Sequence, residues 1–112
     1  MINLHQIRMN VIQTAENGVV NRETVFHFTQ EDDIVQANYA GGKIAKGFLV
    51  GKLMGNILNF SYCQLQIDGR LDNGSSKGKL SVTNEGKIRL IENFEWQSRS
   101  EDSKGMNVFE EI

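Results

Sequence analysis

Eleven glycines and no proline are spread over 112 residues. Glycine reaches positive φ without steric cost, so it marks tight turns and bulges. With no proline, Gly, Asn and Asp must punctuate the chain. Turn signals fall at Asn17-Gly18, Asp32-Asp33, Gly41-Gly42, Gly55-Asn56, Asp68-Gly69, Asn84-Glu85-Gly86 and the polar stretch from Ser98 to Lys104. Asn-Gly and Gly-Gly suit two-residue hairpin loops, whose central residues need positive φ. Seven such signals separate eight short segments rich in β-branched and aromatic residues, which predicts strands over 4–14, 20–30, 34–40, 43–53, 57–67, 75–83, 87–97 and 105–112.

Periodicity supports strands unevenly. In 87–97, Leu90, Glu92, Phe94 and Trp96 share one face, and Arg89, Asn93, Glu95 and Gln97 share the other, with Ile91 an exception. The first segment is ambiguous: Ile7, Met9 and Val11 alternate as in a strand, yet Leu4, Ile7, Val11, Ile12 and Ala15 would also line a helix. Asn10 and the Asn-Gly beyond it favour the strand. Eight strands joined by short turns make a meander with two exposed edges, and closing the sheet removes both. Eight is also the number whose interior just holds side chains or one small ligand. The expected architecture is an all-β, eight-stranded antiparallel up-and-down barrel, with a two-sheet sandwich as the alternative.

Composition sets the outer bounds. The length suits one domain, 1–112, burying about two-thirds of its unfolded surface. No apolar run approaches the ~20 residues of a membrane helix. The N-terminus carries no apolar signal core, so a cytoplasmic location is expected. A formal charge of −2 argues against a general nucleic-acid binder, whose affinity comes from neutralising phosphates. Cys63 stands alone, so neither a disulfide framework nor a thiolate metal cluster is expected.

Short pieces nearly end to end resemble a known family: Asn17-Gly18, Glu23-Thr24-x-Phe26, Tyr39-x-Gly41-Gly42-x-Ile44, Gly47-x-Leu49-x-Gly51, Tyr62-x-Gln64, Gly86-Lys87, Leu90-x-Glu92-x-Phe94-x-Trp96 and Gly105 followed by Glu110-Glu111. The family is one of small bacterial proteins of about this length, often given the name N-acetylglutamate synthase. The resemblance implies an avidin-like or lipocalin-like barrel. This chain carries Phe94 where the family often has Trp, and Asn107 where it has a small hydroxyl residue. Acetyl transfer from coenzyme A commonly holds the pyrophosphate on a Gly-rich turn opening a helix. No such turn occurs, since Gly47 and Gly51 sit at strand spacing; the synthase name therefore finds no support in the residues.

Interior and exterior positions alternate along barrel strands. The expected inward rows are Phe26 and Phe28; Val35, Ala37 and Tyr39; Ala45, Gly47, Leu49 and Gly51; Phe60, Tyr62 and Gln64; and Leu90, Glu92, Phe94 and Trp96. Polar groups thus gather in an apolar interior, and Tyr39, Tyr62, Gln64, Glu92, Phe94 and Trp96 become the candidate ligand-binding residues. An unpaired buried carboxylate shifts its pKa up rather than stay charged. Glu92 is then a member of a satisfied network that fixes register, a group that orients a ligand, or a catalytic acid or base, although no second catalytic group is apparent.

Other chemistry is sparse. His5 and His27 lack metal-ligand spacing, Glu31-Asp32-Asp33 lacks the pattern of a calcium loop, and no nucleophile elbow or phosphate loop occurs. No cofactor, metal, nucleic acid or membrane partner is expected. Three functions fit: a small-molecule-binding barrel, which is the main expectation; a structural or interaction protein with a filled core; and an enzyme using Glu92. On the outside, Ile44, Phe48 and Val50 beside Ile57, Cys63, Leu65 and Ile67 would make an apolar patch, which predicts a homodimer or higher homo-oligomer.

Overall fold

The computed structural model describes residues 2–99 and 103–112. Eight strands follow in chain order: β1 (Arg8–Gln13), β2 (Val25–Glu31), β3 (Ile34–Gly41), β4 (Ile44–Met54), β5 (Ile57–Gln66), β6 (Leu71–Val82), β7 (Ile88–Trp96) and β8 (Lys104–Glu111). Each pairs antiparallel with the next, and β8 pairs back with β1 to close the barrel. All-β meander and closure are as expected. The sandwich is excluded, and so is a helix over the first segment. Asp32 (φ 54°), Gly42 (φ 63°) and Gly55 (φ 62°) make the reversals of three tight hairpins. The expected turn from Ser98 to Lys104 partly lies outside the described residues.

Four expectations need correction. The first strand starts at Arg8, not residue 4, because Gln6 takes a left-handed φ of 61° and bends the chain. Leu4 then folds across the barrel end, fully buried, its amide donating to Gln30 Oε1 at 2.9 Å. Asn17-Gly18 is not a two-residue hairpin: β2 begins at Val25, leaving a connecting segment, 14–24, that lies over the opposite end. The sixth strand begins at Leu71 rather than residue 75, since Asp72, Gly74, Ser76, Gly78 and Leu80 alternate inward through a stretch whose Gly, Ser and Asn resemble a turn. Finally, Ile44 points inward at 2% exposure and Ala45 outward, because the register slips between Ile44 and Lys46. A one-residue bulge reverses every side chain on its far side.

The other interior rows hold. Val35, Ala37 and Tyr39, then Phe60, Tyr62 and Gln64, then Leu90, Glu92, Phe94 and Trp96 are all buried. Register explains how so many rings fit. Tyr39 faces Gly47, Phe60 faces Gly51, Tyr62 faces Gly74 and Phe94 faces Gly105 directly across neighbouring strands. A Cβ at each of these glycines would come closer than 3.0 Å to its facing aromatic residue.

The interior divides along the barrel axis. Leu4, Met9, Phe28, Leu58, Leu80 and Leu90 make an apolar lower half, under the chain start and the β2–β3, β4–β5 and β6–β7 turns. Polar groups sit in the upper half, beneath segment 14–24. Gly74→Ala should therefore lower stability by about 1–3 kcal/mol, the usual cost of overpacking, because the added methyl meets the Tyr62 hydroxyl and the Glu95 carbonyl. Urea unfolding beside Ser75→Ala, an outward-facing control, checks this; equal midpoints would contradict the ring-on-glycine packing.

Candidate ligand site in the upper barrel

Alternation along β3, β5 and β7 brings all six candidate residues to one cavity in the upper half. Tyr39, Tyr62, Gln64, Glu92, Phe94 and Trp96 line it, joined by Asn107 from β8 and by Gly18, Val19 and Val20 from segment 14–24. The cavity is small, about 30 Å³, which is room for two or three waters at roughly 10–15 Å³ each. A larger groove of about 840 Å³ runs over the outer wall of β5–β8. It is open to solvent, whereas the buried polar atoms that lack partners all belong to the interior.

The rings form a wall. Phe26 stacks on Tyr39 with centroids 4.2 Å apart, and Trp96 lies edge-on to Phe94 at 5.3 Å and to Tyr62 at 5.6 Å. Tyr39 Oη–H donates to Gln64 Oε1 at 2.7 Å, which turns the Gln64 Nε2 away as a donor without an acceptor. Tyr62 Oη and Trp96 Nε1 are also buried with no hydrogen-bond partner among the described residues. A buried donor left unsatisfied costs about 1–3 kcal/mol, so three around one void are rare in native interiors. Gln64 Nε2 and Trp96 Nε1 can only donate, and the Tyr62 hydroxyl can donate or accept, so an acceptor oxygen would satisfy any of the three. Burial, then the Glu92 charge, pushes both tyrosine hydroxyls far above their ordinary range, so they stay protonated.

Glu92 has its partners. Ser76 Oγ–H on β6 donates to Oε2 at 2.6 Å and Asn107 Nδ2–H on β8 donates to Oε1 at 3.0 Å. Burial pushes its carboxyl up, and these two hydrogen bonds offset only part of that. No cation among the described residues lines the cavity to counter this, so the carboxyl holds its proton to higher pH than an ordinary glutamate. Asn107, whose place was marked by a departure from the family pattern, proves central: its Oδ1 accepts from the Ala15 amide at 3.0 Å, tying segment 14–24 to the carboxyl.

A second polar cluster caps the upper rim. Arg99 clasps Asp72 with Nε and Nη2, each at 3.0 Å, and lies 4.4 Å over the Trp96 ring. Burial raises the Asp72 carboxyl, but Arg99, with hydrogen bonds from Gln66 and Ser98, outweighs this and holds it below its ordinary range. Nothing in the sequence tied these two residues together. Arg99 lies in an irregular stretch after β7, and the inward placement of Asp72 depends on the long sixth strand.

His5, His27 and Cys63 are exposed and apart from the cavity. The described residues contain no group of three His, Cys, Asp or Glu placed to hold a metal. They contain no helix, and so no helix-opening glycine turn of the kind used for coenzyme A.

The match is to avidin-like proteins, over residues 2–112. The chain belongs to the avidin-like protein family. No curated protein and no solved structure matches it. In this avidin-like barrel the buried carboxyl makes stability depend on pH. A carboxyl raised by folding adds stability below its unfolded pKa and loses it as pH rises through the folded value. Wild-type stability should thus fall from mildly acidic pH upward, at most by about 1.4 kcal/mol per pH unit for one proton, and the melting temperature should fall with it. Glu92→Gln should flatten that arm; a parallel decline in the variant would place the titrating group elsewhere.

Proposed function

We propose that this protein is a non-enzymatic, small-molecule-binding barrel whose site is the upper interior. The three unpartnered donors, Tyr62 Oη, Gln64 Nε2 and Trp96 Nε1, carry this reading. The ligand is compact, partly apolar and presents an oxygen that accepts hydrogen bonds, such as an amide or acid carbonyl. The rings supply apolar contact, Tyr39 orients Gln64, and Glu92 adds a polar edge. Because the cavity holds about 30 Å³, a ligand larger than water seats by displacing Val19 and Val20.

The same small volume favours a second reading, a filled structural barrel in which water alone meets the donors. A thermal-shift screen over small amides, lactams and short carboxylic acids separates the two. At about one hundred times its dissociation constant a ligand adds roughly 2.7 kcal/mol. Stabilisation that disappears in Gln64→Leu supports binding. No stabilisation by any of these classes supports the filled barrel. An acid–base enzyme built on Glu92 is the weakest reading, because the carboxyl already has two partners and no second catalytic group approaches it.

The protein is also read as cytoplasmic and self-associating, with neither nucleic acid nor a membrane as partner. Phe48, Val50, Leu65 and Ile67 are 45%, 57%, 38% and 72% exposed on the outer face of β4, β5 and the turn beyond. Ile44 does not belong to this patch. Cys63 continues it, and Ile57, half-buried, adds little. Since Phe48 faces outward, Phe48→Glu should fold normally and yield a monomer by light scattering, where the wild type is a dimer. A wild-type monomer at high concentration contradicts self-association.

A further inference from the structure

Among the described residues, segment 14–24 is the only part of the cavity wall that is not strand. The ladder between β1 and β2 joins only Arg8, Met9 and Asn10 to His27, Phe26 and Val25. Above Asn10, β1 continues to Gln13 with β8 alone beside it. This leaves a break in the barrel wall at the upper end, and segment 14–24 covers it with Val19 and Val20 buried.

Both flanks of that cover are tied to neighbouring strands: Asn10 Nδ2–H donates to the Arg22 carbonyl and Arg22 Nη2–H to the Ile12 carbonyl, each at 3.4 Å, and Thr24 Oγ–H donates to the Gly41 carbonyl at 3.0 Å. Asn17 Nδ2–H donates to the Lys104 carbonyl at 2.9 Å, at the rim. Thr14 Oγ–H to the Val20 carbonyl and the Gly18 amide to the Ala15 carbonyl are internal to the segment. Among the described residues, the link from the cover to the Glu92 carboxyl is the Ala15 amide, which donates to Asn107 Oδ1, while the other end of that amide side chain donates to Glu92. We propose that segment 14–24 is the gate of the upper cavity and that Asn107 is a positioning residue that latches it shut, so that gaining a charge on Glu92 opens the barrel. This rests on reading the interior as a ligand site and adds how that site is regulated.

The physical argument is one of solvation. A carboxylate offers about four acceptor positions, and the closed cavity gives Glu92 two donors, from Ser76 and Asn107. The elements packed around it add no positive charge. Its ionisable neighbours, Tyr39 on β3 and Tyr62 on β5, are neutral hydroxyls. Segment 14–24 presents only Gly18, Val19 and Val20 to the cavity. Arg99, over Trp96, is occupied by Asp72. An ionised Glu92 therefore gains from water that only opening can admit, whereas the neutral acid gains little. The closed form holds the proton more tightly, so acid favours closure, and each pH unit by which closure raises the pKa is worth up to about tenfold in the open-to-closed ratio.

Trp96 is the sole tryptophan of the chain and lines the cavity, so it reports opening without a ligand. Acrylamide quenching is measured from about pH 5 to pH 8, above the ordinary carboxylate range at its lower limit, with far-ultraviolet dichroism confirming the fold throughout. Asp72, held low, stays ionised over this span. The expected result is a several-fold rise in the quenching constant with pH for wild type, a low flat profile for Glu92→Gln, and a raised profile at every pH for Asn107→Ala. Asn107→Gln, should the alanine variant unfold, is expected to show the same raised profile. A flat wild-type profile overturns the gate, and a rise that persists in Glu92→Gln overturns its control by that carboxyl. These readouts need no ligand, so a failed ligand screen and a failed gate are separate results.

Discussion

Four of the large aromatic residues inside this barrel lie opposite a glycine on the adjacent strand, and the rest of the structure depends on that pairing. Tyr39 over Gly47, Phe60 beside Gly51, Tyr62 over Gly74 and Phe94 over Gly105 are directly opposed in register. Rings bury large areas, but a small barrel has little width to hold them. Removing the opposing Cβ lets the ring lie against the wall instead of crossing the axis. The pairing also resists register slips, since moving one strand by a residue would set each ring against a side chain facing the other way. Glycine inside a strand ordinarily weakens it; here the cost is offset by ring burial.

What the rings leave open determines the chemistry. The lower half is closed by apolar side chains and Leu4. The upper half retains a small cavity because its residues carry polar ends that cannot pack on one another without partners. Tyr39 donates its hydroxyl hydrogen to Gln64 Oε1. Ser76, Glu92 and Asn107 form a second chain, which continues to the Ala15 amide. Between these two networks remain the donors of Tyr62, Gln64 and Trp96. A uniformly apolar core would be more stable than this interior, and its polar ends have meaning if something oxygen-bearing enters. The segment above it lies outside the strand ladder, which is why the proposed gate is placed over the polar half.

Much of this was legible in the sequence, for identifiable reasons. Alternation over 87–97 placed Glu92, Phe94 and Trp96 on one interior face, and the spacing of Phe60, Tyr62 and Gln64 did the same for β5. Turn chemistry marked most of the reversals. The failures are equally local. Ile44 was read on the wrong face because a bulge leaves no signature in composition. Residues 71–74 were missed because Asp, Asn and Gly resemble a turn, while their inward partners lie on neighbouring strands. The covering role of segment 14–24 and the Asp72–Arg99 clasp depend on contacts between distant residues, which periodicity does not carry. Asn107 was visible only as a departure from a family pattern, and its bridging role needed three dimensions.

If the upper interior is a ligand site, an oxygen-bearing molecule meets the donors of Tyr62, Gln64 and Trp96 there. A high-resolution crystal structure of protein purified without refolding tests it most directly. The account predicts density larger than water beneath segment 14–24, with an oxygen within hydrogen-bond distance of Tyr62 Oη, Gln64 Nε2 and Trp96 Nε1. A cavity holding only water, unchanged after soaking with small amides and acids, would contradict it and leave the barrel a filled scaffold.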